Sequence, residues 1–114
     1  LLGLQDDVVL FSASDFARTL RSNGQGSDHA WGGNHFCIGG PVNGGRIYGD
    51  FPDIAAGALD LGQGRLLPST PVDAYGAELA AWFGVPTAEM TTVFPNAENF
   101  FDPGTTPYPL GMLG

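Results

Sequence analysis

Apolar residues in this chain gather in short runs separated by glycine, proline and polar positions, and each run predicts a different element. Val8-Val9-Leu10-Phe11-Ser12-Ala13 follows Asp6-Asp7. Its length, its β-branched and aromatic content and its polar flank predict a strand buried on both faces, as in a parallel α/β sheet. Asp15, Arg18 and Thr19 then fall just past its C-terminal end, the edge at which open α/β sheets bind ligands. His35-Phe36-Cys37-Ile38 and Arg46-Ile47-Tyr48 lie on either side of an Asn43-Gly44 turn, which predicts a β-hairpin whose ladder Pro41 shortens. Residues 50–68 read as a surface loop with one short apolar stretch.

The clearest periodicity comes next. Thr70 is placed to cap a helix, Pro71 suits its first position, and Asp73 completes a capping-box spacing. Val72, Tyr75, Leu79, Trp82 and Phe83 recur at helical spacing and predict the buried face, with Gly84 and Pro86 as the stop. From Phe94-Pro95 to the end the chain is rich in proline and glycine with aromatic anchors, a tail expected to wrap a core built elsewhere. Leu1-Leu2-Gly3-Leu4 reads as the end of an apolar helix capped by Gly3, hence as a truncated start. No internal repeat or linker divides residues 1–114, so the expectation is one partial domain.

Composition narrows the function. The 114 residues include 18 glycines and 9 prolines, too many for a helical bundle, while 43% are hydrophobic, too many for a disordered chain. Four basic against twelve acidic residues leave a net charge of −8. That balance argues against nucleic acid and anionic membrane surfaces, both of which need clustered cations. No apolar run approaches the length of a membrane span. The single cysteine, Cys37, excludes an internal disulfide and a cysteine-based zinc site. Within its apolar run it reads as a small buried hydrophobe.

Candidate chemistry concentrates between Asp15 and His35, around a glycine-rich polar stretch at residues 22–34. Asp15, Asp28 and His29 combine carboxylate oxygen and imidazole nitrogen, which suits a divalent metal and tilts the choice towards zinc or another transition metal. The competing reading has Asp28 and His29 capping a turn and His35 opening a strand. Arg18 offers a planar fork of donors to an anionic substrate, or a salt bridge to Asp15 or Asp28. Trp31 walls a pocket or packs under the loop. Ser14, Ser27 and Thr19 have no base and orienting acid at recognisable spacing, so a serine-hydrolase triad is not expected.

Ser12-Ala13-Ser14-Asp15-Phe16-Ala17-Arg18-Thr19-Leu20, followed by Asn23-Gly24, Gly26-Ser27-Asp28-His29 and Trp31-Gly32, resembles a bacterial family of secreted proteins catalogued as domain of unknown function 1501. The likeness runs on through His35-Phe36, Ile38-Gly39-Gly40, Val42, Gly44-Gly45 and Tyr48-Gly49. Gly64-Arg65-Leu66, Val72-Asp73, Trp82-Phe83-Gly84-Val85 and Phe94-Pro95-Asn96 extend it over nearly the whole chain, as the C-terminal part of a longer protein.

The resemblance implies an alkaline-phosphatase-like fold, a parallel-sheet α/β sandwich shared with phosphatases and sulfatases. It implies the C-terminal part of a metal-dependent hydrolase of phosphate or sulfate esters, with zinc or manganese held by Asp15, Asp28 and His29. Arg18 would meet the small anionic substrate, and the rest of the domain or a second copy would cover the apolar surface. A twin-arginine export signal in full-length members implies a periplasmic or secreted location. Phe16 stands where the superfamily has a histidine ligand, Ala17 and Ala30 stand where glycine is common, and the nucleophile of the superfamily lies upstream. Those departures leave a second expectation, a non-catalytic binding or structural protein that keeps the fold.

Overall fold

The computed structural model describes residues 2–54 and 60–113 and shows a mixed α/β chain. Four short strands form two separate antiparallel pairs, and two helices follow. β1 (Val9–Phe11) pairs with β4 (Cys37–Gly39), with Leu10 opposite Ile38. β2 (Ala17–Ser22) pairs with β3 (Ser27–Ala30), with Arg18 opposite His29. α1 spans Val72–Phe83 and α2 spans Met90–Val93, with single 3₁₀ turns at Thr87–Glu89 and Ala97–Asn99.

The expected parallel strand over Val8–Ala13 is corrected in direction and in burial. β1 is antiparallel, and Leu10 and Phe11 are 59% and 48% exposed. The run is apolar and extended, but it forms one strand of a two-stranded ribbon with β4, with α1 on one side through an edge-on contact of Phe11 with Tyr75. The expected hairpin around Asn43-Gly44 does not form either. β4 turns to β1, and Val42 bridges to Leu113 instead. Pro41 has no N–H to donate, and the tail competes for the same backbone edge by accepting the Asn43 N–H at the Met112 carbonyl.

A hairpin does appear where the sequence read as structureless. Asn23 and Gly26 close the turn between β2 and β3, helped by the Asn23 and Ser22 side chains. Between Arg18 and Ser22 the register slips. Thr19 fills that irregularity from a buried position, its hydroxyl donating to the Arg21 carbonyl and accepting the Asp28 N–H.

α1 starts one residue later than expected and stops where expected, with Gly84 ending it in the left-handed region at φ 105°. The N–H groups of Gly84 and Val85 return to the carbonyls of Ala81 and Ala80, a Schellman motif. At the other end Pro71, not Thr70, is the capping residue, and no side chain bonds there. The buried face is also rotated. Ala74, Ala77 and Glu78 are buried, whereas Val72 and Phe83 are 68% and 84% exposed. Small residues at that face allow the tail to lie close, and Met90, Ala97, Met112 and Leu113 complete the core there. The tail therefore builds the core as well as wrapping it.

That core is small for the chain. The accessible surface is 7654 Å², against about 6,000 Å² for a compact protein of this mass. The radius of gyration is 16.1 Å, against about 13 Å. Of the loop at residues 50–68, Asp60 bridges to Leu66, and the apolar stretch at 55–59 lies outside the described residues. Leu2 and Leu4 are exposed on either side of Gly3 at φ 69°, and Leu1 also lies outside the described residues. No helix among the described residues is long and apolar enough to cross a membrane.

Candidate functional site

A cross-strand pair shares one face of its ribbon, and consecutive strand residues point to opposite faces. Arg18 and His29 therefore sit side by side, with Phe16 two residues from Arg18 on the same face. The His29 ring stacks on Phe16 with centroids 3.8 Å apart, and the Arg18 guanidinium lies 5.1 Å from the Phe16 centroid. Arg18 Nη1 donates to the Ser27 carbonyl at 2.7 Å. Phe16, which replaces a metal ligand in the resemblance, here acts as a platform for both neighbours.

Asp28 leaves the opposite face of β3 and accepts a hydrogen bond from Asn23 Nδ2 at 2.8 Å. Asp15 lies in the bend before β2. Asp28 and His29 thus diverge, and among the described residues no three His, Cys, Asp or Glu side chains gather where they would share an ion. Asp15, Asp28 and His29 do not by themselves fit a metal centre. Arg18 makes no ion pair with Asp15 or Asp28; its partners are the Ser27 carbonyl and the Phe16 ring.

A broad concavity of about 1070 Å³ opens between the two ribbons and the start of α1. Asp15 and Arg18 border it, whereas Asp28 and His29 do not. Trp31, His35, Arg46 and Tyr75 border it as well. Two of the chain's four cations therefore border this cavity with a single carboxylate, in a molecule whose net charge is −8. Arg46 was invisible as a site residue because it read as a hairpin strand; only the failure of that hairpin turns it to the cavity. Tyr75, expected in the core, and Trp31, expected as pocket wall or loop packing, both border the cavity.

On the same side, His35 Nδ1 lies 3.3 Å from Ser12 Oγ, and its ring stacks on Tyr75 at 5.6 Å. Ser12 Oγ accepts the Phe36 N–H at 2.9 Å, and the Tyr75 hydroxyl lies 3.3 and 3.1 Å from the carbonyls of Ser12 and Phe36. These contacts pin the end of the β1–β4 ribbon to α1. Burial holds the Tyr75 hydroxyl above the usual phenol range, with Cys37 adding to the effect, so it stays a donor.

Burial also pushes the Cys37 thiol above its ordinary range, and the nearby Glu78 charge adds to this. Because the thiolate is the reactive form, Cys37 is expected to alkylate with iodoacetamide at neutral pH several-fold more slowly than free cysteine. The rate should climb only above the usual thiol range. Peptide mass spectrometry of timed samples checks this, and alkylation as fast as free cysteine would refute it.

No curated protein and no solved structure matches the chain. A family model described as a protein of unknown function, DUF1501, matches residues 2–63, which include β1 to β4 and every cavity residue from Asp15 to Phe51. The chain whose arginines and aromatics border this cavity therefore belongs to the DUF1501 family.

Proposed function

We propose that this chain supplies the anion-recognising wall of a hydrolase of small phosphate or sulfate esters, of alkaline-phosphatase-like type and working outside the cytoplasm. One observation carries the reading: Arg18 and Arg46 border one cavity with a single carboxylate, although the chain as a whole is strongly acidic. Guanidinium groups bind tetrahedral oxyanions through paired charge-assisted hydrogen bonds, and a concave, partly apolar surround strengthens them. In this reading the divalent metal, zinc or manganese, is held by residues beyond these 114, since Asp28 and His29 diverge across β3. The rest of the same domain covers exposed apolar positions such as Leu10 and Ile38.

That divergence favours a second reading, a binding protein that holds such anions without turning them over. Methyl phosphate and methyl sulfate, titrated calorimetrically into the natural polypeptide that carries this sequence, test the shared part. Arg18→Ala and Arg46→Ala should each weaken binding about tenfold, the loss of one charge-assisted contact. Absence of binding, or binding indifferent to both substitutions, overturns the proposal. Release of inorganic phosphate or sulfate then separates the hydrolase from the binder.

A further inference from the structure

We propose that the cavity selects monoesters whose alcohol carries a flat ring, with the ring lying on Trp31 and the anion on Arg18 and Arg46. The inference rests on the anion reading above and names the part of the ligand that the arginines do not explain.

Trp31 is 65% exposed and borders the same cavity as both arginines. Its indole makes no ring contact with another aromatic among the described residues, unlike Phe16 and Tyr75, whose rings are already stacked. An exposed indole on a mobile loop would mean little, but the backbone here is fixed on both sides. Ala30, buried, pairs with Ala17 at the end of the β2–β3 ribbon. Gly32, also buried, donates its N–H to the Leu66 carbonyl at 2.9 Å. A Cβ at Gly32 would lie 2.7 Å from that oxygen, so only glycine lets the two segments meet there.

The result is a large apolar plate at the border of a cavity that Arg18 and Arg46 also border. Water covers such a plate at a free-energy cost, and a ligand ring relieves it without ordering a loop. An anion alone would use the guanidiniums and leave the plate wet. A ring-bearing monoester uses both, and it is small enough for a cavity of about 1070 Å³. Two chemistries offer such a ring, an aryl group and a pyranose, and both present an apolar face to indole.

The experiment compares methyl phosphate, phenyl phosphate and a hexose 6-phosphate by calorimetry on the natural polypeptide. At least one ring-bearing ester is expected to bind about tenfold more tightly than methyl phosphate, the scale of one good aromatic contact. Trp31→Ala should erase that gain by weakening the ring-bearing ester about tenfold more than methyl phosphate, while Trp31→Phe should retain most of it. In a Trp82→Phe background, Trp31 fluorescence should shift with phenyl or hexose phosphate more than with methyl phosphate. A gain confined to one ring type assigns the ligand as aryl or sugar ester. Equal affinity for all three esters overturns the ring inference and leaves the anion reading standing. Failure of methyl phosphate to bind overturns both. A Trp31→Phe protein that loses the gain, or a Trp31→Ala protein that fails to fold, shows that Trp31 packs rather than binds, and overturns the inference.

Discussion

Glu78→Ala should cost the fold about 3 kcal/mol or more, the largest effect expected of any single side chain here. Glu78 is fully buried on α1, and its two carboxylate oxygens accept the backbone N–H groups of Leu113 at 2.8 Å and Leu110 at 3.0 Å. Alanine leaves the buried Leu113 N–H without an acceptor, at about 1–3 kcal/mol, and strips the part-buried Leu110 N–H of its partner as well. The damage should spread, because Leu113 bridges to Val42 and Met112 accepts the Asn43 N–H. Glu78→Gln keeps one acceptor oxygen but turns a donor towards the other N–H, so its cost should lie between wild type and alanine. Urea unfolding of the natural polypeptide measures the loss, and hydrogen exchange at Leu110 and Leu113 locates it. A change below about 0.5 kcal/mol with both amides still protected would show that the clamp contributes nothing.

Gly64→Ala should cost about 2–5 kcal/mol and free the β2–β3 ribbon from the loop beneath it. Gly64 is buried at φ 76°, a left-handed conformation that alanine adopts at about 1–2 kcal/mol. A Cβ there would lie 2.6 Å from Leu20 Cβ and 2.8 Å from Leu20 N, and the obstruction is partly backbone. Relief requires breaking the Leu20 N–H bond to the Gly64 carbonyl, now 3.0 Å. Gly62→Ala separates the two causes. Gly62 is also left-handed, at φ 102°, but a Cβ there meets nothing within 4 Å. It should show the backbone cost alone, about 1–2 kcal/mol. Equal effects at Gly62 and Gly64 would refute the steric half of the account. Loss of exchange protection at Leu20 in the Gly64 variant alone would support it.

Both residues show where the sequence was opaque. Glu78 stands four residues after Ala74 and one after Ala77, so it lies within the small-residue stripe of α1, yet the larger residues Tyr75, Leu79 and Trp82 drew the expected face to themselves. The tail's N–H groups were the missing reason, since a buried carboxylate is tolerable only with such donors. Gly64 sits in a loop that reads as featureless because the neighbour it must avoid, Leu20, is more than forty residues away. The β2–β3 hairpin carried an Asn23-Gly24 signal, but its strands are polar and alternate weakly, so the stretch read as loop.

The candidate site divides the same way. Arg18 and Asp15 stand out in the sequence because they follow an apolar run that reads as a strand, and both border the cavity. Asp28 and His29 were adjacent in sequence and separated by the strand they occupy, which sends neighbours to opposite faces. Arg46 came to the cavity only because β4 pairs with β1, and the sequence held an equally plausible local partner for β4.

Residues that act on their own backbone are the ones the amino-acid order decided: Gly84 ends α1, and the 3.6-residue spacing before it gives a helix that starts within one residue of Pro71. Strand partners, the buried side of α1, the clamp at Glu78 and the cavity itself were decided only in three dimensions. Each depends on contacts between segments tens of residues apart, where an apolar run states that it must be covered but not by what.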